Sequence, residues 1–260
     1  MPQRKVLLPI ILSVVVIFLW EWVVRLLQVP EFIFPMPSRV VKFFVQFGYT
    51  LGEDTAATVV ETLFGFLVAV VVGVLCAVAL VYSQFLYDLL YPPLVVLQVT
   101  PKIAVAPLLL LWFGYGFLPK VVIGFFISFF PIVVTTLHGL TSVEPEMLDL
   151  LHSLRASKLK ILWKARLPHS LPYMFSGFQI AVTLSLIGAI VAEFVGAEKG
   201  LGFKIVYAQY SANTPMLFAA LVLLALAGLV LFYAMLFLER LVTPWRALKQ
   251  EKEFEAKGFL

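Results

Sequence analysis

An all-α integral membrane fold with six transmembrane helices follows from three features of the sequence. Hydrophobic residues fill 62% of the 260 positions and charged residues 13%, about half the charged share of an ordinary soluble domain. Several stretches run about twenty residues with almost no charge, enough to cross the hydrocarbon layer of a bilayer. The alternation of a membrane barrel is absent, which leaves helices, whose backbone polar groups are satisfied within the element, as the spanning structure.

The predicted spans fall at about residues 6–27, 59–82, 94–113, 121–140, 172–195 and 216–241. Residues 1–242 are thus one transmembrane domain with a polar insert at 141–170, and 243–260 form a mixed-charge cytoplasmic tail. The first apolar stretch is long for a signal-peptide core and lacks a small-x-small cleavage site, so it reads as an uncleaved span. Cys76, the single cysteine, lies in a hydrophobic segment and reads as core filling.

Charge placement orients the bundle. With the N-terminus cytoplasmic, the inside segments hold Arg4, Lys5, Arg155, Lys158, Lys160, Lys164, Arg166, Arg240, Arg246, Lys249, Lys252 and Lys257, which is twelve of the nineteen basic residues. The positive-inside bias selects this N-in, C-in arrangement, and an even number of spans agrees with it.

Span one ends in Trp20-Glu21-Trp22, where Glu21 can pair with Arg25 one turn later at the outer interface. Residues 35–47 set Val40, Val41, Phe43, Phe44 and Phe47 against Arg39, Lys42 and Gln46, the pattern of a helix lying along the membrane surface. Span two then places Ala57, Glu61, Gly65, Ala69, Gly73 and Ala77 at intervals of four, and span five does the same with Gly177, Ala181, Ser185, Ala189 and Glu193. Small residues at that interval let helix backbones approach closely in lipid. A four-residue step drifts about 40° around the helix, so each stripe wraps.

Both stripes carry a glutamate toward their outer end, where an acidic group is costly without water or a partner. Glu61 and Glu193 therefore either hydrogen-bond helix ends near the interface or border the outward mouth of a translocation pathway. In span three, Lys102 sits between Pro101 and Pro107, whose freed backbone groups suit a broken helix lining a cavity. That lysine could attract an anionic solute, neutralise a carboxylate, or snorkel to the interface. The glycines at 196, 200 and 202 turn the chain after span five.

Between spans four and five lies the polar insert. Pro145 suits the first position of a helix whose positive end is flanked by Glu144, Glu146 and Asp149, with Arg155, Lys158 and Lys160 toward the other end. Met147, Leu150, Leu151 and Leu154 fall on one apolar stripe of that short helix. The stripe needs a surface: the cytoplasmic ends of the bundle, lipid headgroups, or a groove in another protein.

The insert resembles the cytoplasmic loop of ABC importer permeases, whose pattern is Glu-Ala-Ala, three residues, Gly, nine residues, Ile, one residue, Leu-Pro. Aligned on Leu167-Pro168, the chain has Ala165 at the isoleucine, Arg155 at the glycine and Asp149-Leu150-Leu151 at Glu-Ala-Ala. Spacing is intact where identities differ. A bulky Arg155 at a left-handed turn costs about 1–2 kcal/mol, so either the turn moves or the helix runs on. The likeness extends through MPSRVV from Met36, TPKIAVAPLLLLWFGYG from Thr100, FFPIVVTTLHGL from Phe129 and AIVAEFVGAEKGLGFKI from Ala189, segments similar to the inner-membrane permeases for sulfonate, taurine, nitrate, thiamin-pyrimidine and riboflavin.

The resemblance implies a plasma (inner) membrane permease with a coupling-helix loop between helices four and five. ATPase coupling would rest on Glu146, Asp149, Leu150, Leu151, Leu154, Arg155, Ala156 and Pro168, and the translocation pathway on Glu61, Lys102 and Glu193. It also implies a second permease copy, ATP-binding-cassette subunits that bind the ATP and Mg, and an extracytoplasmic substrate-binding protein, with no cofactor, metal or nucleic acid held by the chain itself. No P-loop, paired-cysteine motif or His-Glu-x-x-His segment appears, and His138, His152 and His169 are scattered. A membrane enzyme would gather such groups at one interface. A secondary active transporter would place ionisable residues near the bilayer midplane, where Lys102 is the one strong candidate, and would need no docking loop.

Overall fold

The computed structural model describes residues 2 to 245, with side chains among the first ten described only at Leu7 and Leu8. The predicted tail from Arg246 onward, and the side chains of Arg4 and Lys5, lie outside the described residues. Among the described residues the elements are helical with no strand, and four helices are long and apolar enough to cross a membrane, or five if one bent pair counts as a span.

Helix α1 (Pro2–Leu26) covers the first predicted stretch. Its apolar surface is largely exposed, and it is pinned near its end, where Trp20 meets Phe34 and Phe218 with ring centroids 5.1 and 5.5 Å away. Glu21 pairs with Arg25 at 2.6 Å as its spacing predicts. The same carboxylate also accepts from the backbone N–H and hydroxyl of Ser38 at 3.0 and 2.9 Å, which caps the next helix through a side chain from outside it.

Helix α2 (Pro37–Tyr82) joins the predicted interfacial helix to the second predicted span in one 46-residue rod, bent at Phe47 (φ −120°, ψ 16°). The intervening stretch, with Gly48 and Gly52, lies outside both predicted helices. It is helical because Leu51, Asp54 and Thr58 form a buried face, so tertiary packing overrides weak local propensity. The third predicted span starts earlier and is broken: α3 (Gln84–Val99), a 3₁₀ turn at Lys102–Val105, and α4 (Ala106–Phe113), bent by 87°. Pro101 brings no N–H to the ladder and holds Thr100 extended (ψ 134°), as the sequence predicts of its prolines.

Helix α5 (Phe117–Thr141) lies between α2 and α8 (Leu167–Gly196). Both small-residue stripes close on α5. A Cβ added to Gly188 would sit 2.8 Å from the Gly124 Cα, and one on Gly65 would sit 3.0 Å from the Val121 carbonyl oxygen. Gly73 faces Ile132, and Gly177 faces Thr135. Ser185 crosses from α8 to α2, donating to the Thr62 carbonyl at 2.8 Å. Gly124, in the middle of this crossing, belongs to neither predicted stripe.

The insert forms α6 (Pro145–Ser153), then α7 (Lys158–Ile161) and a π-helical turn (Leu162–Arg166) that runs straight into α8. After α8 comes a short helix the sequence did not suggest, α9 (Leu201–Tyr210), and then α10 (Thr214–Val242), whose first turn is capped by Asn213 Oδ1 accepting from the Met216 N–H at 3.1 Å.

Replacing Gly188 with Val should push α5 away from α8 and destabilise the fold by about 1–3 kcal/mol. A Gly52→Ala change, at an exposed helical site with open space around it, should instead stabilise by about 0.4–1 kcal/mol. Thermal unfolding of both purified variants in one detergent checks the pair.

Candidate functional site

Two features stand out at opposite ends of the bundle. The first is the arm built by α6. Pro145 opens the helix as predicted and Glu146 lies in its first turn. Met147, Leu150 and Leu154 are 51%, 60% and 70% exposed, while Leu151 is half-buried, so most of the stripe is not folded back on the chain's own helices. Asp149 stands exposed beside it.

Arg155 ends the arm in the left-handed region (φ 51°). Its N–H donates to the His152 carbonyl at 2.9 Å, and the Ala156 N–H donates to the Leu151 carbonyl at 3.0 Å, the paired bonds of a Schellman turn. The expectation that the turn would move or the helix run on is therefore corrected: Arg155 takes the glycine's conformation itself. Ser157 then restarts the chain, accepting from the Lys160 N–H at 3.3 Å, and Pro168 enters the first turn of α8.

The root of the arm is stitched to the bundle. Arg166 Nη1 donates to the Leu140 carbonyl at 2.7 Å, and His169 Nε2 lies 3.2 Å from Ser142 Oγ. A Cβ on Gly139 would come within 2.9 Å of the Ser170 Cα, so α5 and α8 converge where the arm leaves them.

The second feature is a buried polar cluster around the start of α9. Three consecutive backbone donors there are capped by side chains from other helices: Gly200 N–H to Asp54 Oδ1 at 2.9 Å, Leu201 N–H to Thr58 Oγ1 at 2.9 Å, and Gly202 N–H to Glu193 Oε2 at 2.6 Å. Thr58 in turn donates to Glu193 Oε1 at 2.7 Å. Gly200 (φ 118°) needs its freedom, and a side chain on it would collide with the Glu193 carboxyl. Glu193 thus makes the helix-end hydrogen bond that one reading of the sequence expected.

Glu61 takes a different partner. Its Oε1 pairs with Lys120 Nζ at 2.7 Å, with both side chains almost wholly buried, and its carboxyl adjoins that of Glu193. Lys120 also donates to the Lys199 carbonyl at 3.3 Å, and Lys204 pairs with Asp54 at 3.3 Å. The structure thereby joins Glu61 to Glu193 and leaves Lys102 elsewhere. Lys102 stands in the 3₁₀ turn with Nζ 4.2 Å above the Phe130 ring, beside a cavity of about 160 Å³ lined by Leu97, Trp112 and Phe126 among others.

Sequence reasoning missed Asp54, Thr58 and Lys120 as members of one cluster. Asp54, Thr58 and Glu61 do fall at offsets of zero, four and seven, one helical face, and that face extends the predicted stripe. Lys120, by contrast, gave no local signal, because its partner lies fifty-nine positions away.

Long apolar helices, a sharply bent helix pair and charged groups paired inside the bundle describe a multi-pass membrane protein. Residues 69–247 match the family described as binding-protein-dependent transport system inner membrane component. The chain belongs to that family, the inner-membrane permeases of ABC importers. It is 35% identical to a probable ABC transporter permease protein of Haemophilus influenzae, over 88% of this chain and 94% of the relative. Against the formylaminopyrimidine transport permease protein of Halalkalibacterium halodurans it is 31% identical, over 92% and 95% of the two chains. Against the riboflavin transport system permease protein of Chloroflexus aurantiacus it is 35% identical, over 92% and 90%. A subunit in an inward-facing structure of the MetNI methionine ABC transporter shares the fold, with TM-score 0.61 and 22% identity over 81% of this chain and 99% of that one.

Changing Lys120 to Met strands the Glu61 carboxylate in the interior, and should cost about 3–5 kcal/mol of stability. Changing Glu61 to Met in the same chain should recover most of that loss, since a well-packed apolar pair replaces a buried ion pair at little cost. A double-mutant cycle on thermal unfolding measures it.

Proposed function

We propose that two copies of this permease pair around a central path, each seated on an ATP-binding-cassette subunit at the cytoplasmic side, with both termini cytoplasmic. An extracytoplasmic binding protein delivers the solute. The partner subunit binds and hydrolyses ATP with its Mg, and this chain transmits the resulting motion without catalysing a reaction. Membership of the family supports the assembly, and the positive-inside bias supports the orientation.

One observation carries the coupling role: an amphipathic helix with most of its apolar stripe exposed, held on an arm rooted between α5 and α8. An apolar helix face of this kind fits a groove in a partner. In this reading Leu150, Leu151 and Leu154 fill that groove, Glu146 and Asp149 flank its rim, and Arg155, Ala156 and Pro168 set the angle at which the arm returns. Substrate binding and ATP binding act by favouring different conformations of the whole.

The path runs past the outer polar cluster and the broken span. Glu193 borders it through the clamp on α9 and Glu61 through its pair with Lys120, and Lys102 lines it at the break, where a cation suits a solute bearing negative or electron-rich groups. Relatives are named for formylaminopyrimidine, riboflavin, taurine and nitrate transport, so the solute class we propose is a small organic or inorganic molecule of that kind. A secondary active transporter has less support, because an exposed docking arm serves no purpose there.

Affinity purification of the tagged permease from its native membrane should bring down an ATPase subunit. Changing Leu151 and Leu154 together to Asp should remove that subunit while leaving the permease in the membrane. Changing Arg155 to Gly should preserve coupled ATP hydrolysis, since the residue already holds a glycine-like conformation. Retention of the ATPase by the double Asp variant would overturn the docking role.

A further inference from the structure

The root of the α6 arm contains more hydrogen bonding than a simple hairpin needs. Tyr82, the last residue of α2, donates its hydroxyl to the Lys158 carbonyl at 3.0 Å, at the point where the arm's returning limb begins. Arg166, eight residues further along that limb, places its guanidinium 6.0 Å from the Tyr82 ring centroid and donates Nη1 to the Leu140 carbonyl at the end of α5. Leu140 is fully buried. The returning limb is thus bonded at its start to α2 and at its end to α5, the two helices whose glycine crossings hold the bundle together.

Between those two bonds the backbone leaves the α-helical ladder for the π turn at Leu162–Arg166. A π turn holds one residue more than an α turn, and such turns mark places where a helix changes register. Converting it to α geometry would rotate the two halves of the limb by about 100°, the angle of one residue. Arg166 sits in that turn, and its Nε is buried with no hydrogen-bond partner. A buried donor left unsatisfied is costly, so the guanidinium is held by Nη1 and the tyrosine ring without being fully satisfied, as suits a contact that exchanges.

We propose that Tyr82 and Arg166 form the joint through which displacement of the α6 arm reaches α2 and α5, with the π turn as its hinge. They are positioning residues: they touch neither solute nor nucleotide, and they act by keeping the returning limb in step with the two helices. This proposal rests on the docking role given to α6 above. Without the joint the arm still docks and the partner still hydrolyses ATP, but the motion is absorbed at the hinge.

The test uses the permease with its copurifying ATPase in lipid nanodiscs, in a Cys76→Ser background with a spin label at Gly52→Cys, an exposed site with open space around it. The distance between the labels of the two copies is measured without nucleotide and with ATP. In the otherwise unaltered complex it should shift with ATP. In Tyr82→Phe, which removes one oxygen atom, and in Arg166→Gln, the shift should be roughly halved or less, because coupling is carried by differential contacts in the two states. ATPase recovery and ATP hydrolysis should stay within about twofold of the parent, whereas a merely structural defect would lower both. Arg166→Lys, which keeps a donor for the Leu140 carbonyl, should restore most of the shift. A full shift in Tyr82→Phe and Arg166→Gln, in a complex whose parent responds to ATP, overturns the joint and leaves the docking role intact. Absence of any ATPase with the parent overturns both, and an ATPase that copurifies with a parent showing no shift overturns the joint alone.

Discussion

Everything in this bundle depends on how closely α5 approaches its two neighbours. Lipid offers no hydrophobic drive to hold helices together, so association rests on packing and hydrogen bonds. Here the backbones touch where side chains are missing: Gly188 against Gly124, Gly65 against the Val121 carbonyl, and Gly139 against Ser170. Ser185 adds a hydrogen bond from α8 to the Thr62 carbonyl in the same crossing. These contacts bind α2, α5 and α8 into one packed body.

The two ends of that body are finished differently. At one, Asp54, Thr58 and Glu193 cap three successive N–H groups at the start of α9, Lys204 pairs with Asp54 and Lys120 pairs with the neighbouring Glu61. Such a cluster is held by charge-assisted bonds in a dry setting, and breaking it partway is expensive. At the other end, the arm keeps most of its apolar stripe outside and is joined to the body by a few bonds around a π turn. One end thus has its polar groups bonded to one another, and the other keeps most of an apolar stripe exposed.

Much of this was legible in the sequence, for physical reasons that differ by element. Four predicted spans, in α2, α5, α8 and α10, and a fifth if the bent pair counts as one, were legible through composition, since a stretch of twenty apolar residues has few soluble uses. Pro145, the stripe at Met147, Leu150, Leu151 and Leu154, and the Pro101 break were legible because each is a local rule acting within a few residues. What could not be read was long-range. Residues 48–58 are helical through a buried face that meets other elements, and α9 forms where three donors find acceptors on α2 and α8. Lys120 finds Glu61 only once the bundle has assembled. The two small-residue stripes were visible, but their shared partner α5 was not, because each stripe reports a close approach without saying to what.

Arg155 shows how a turn survives the loss of its preferred residue. A left-handed conformation costs a side-chain-bearing residue about 1–2 kcal/mol, and nothing in the identity of arginine lowers that. The compensation is positional: the two Schellman bonds satisfy the Leu151 and His152 carbonyls at the end of α6, and Ser157 starts α7 two residues later. Moving the turn by one residue would misplace α7, and with it the Tyr82 bond to the Lys158 carbonyl and the Arg166 bond to the Leu140 carbonyl. The contacts at the root of the arm thus account for where the turn sits, which places the constraint in the root rather than in the tip; nothing in the structure explains why arginine stands at that position.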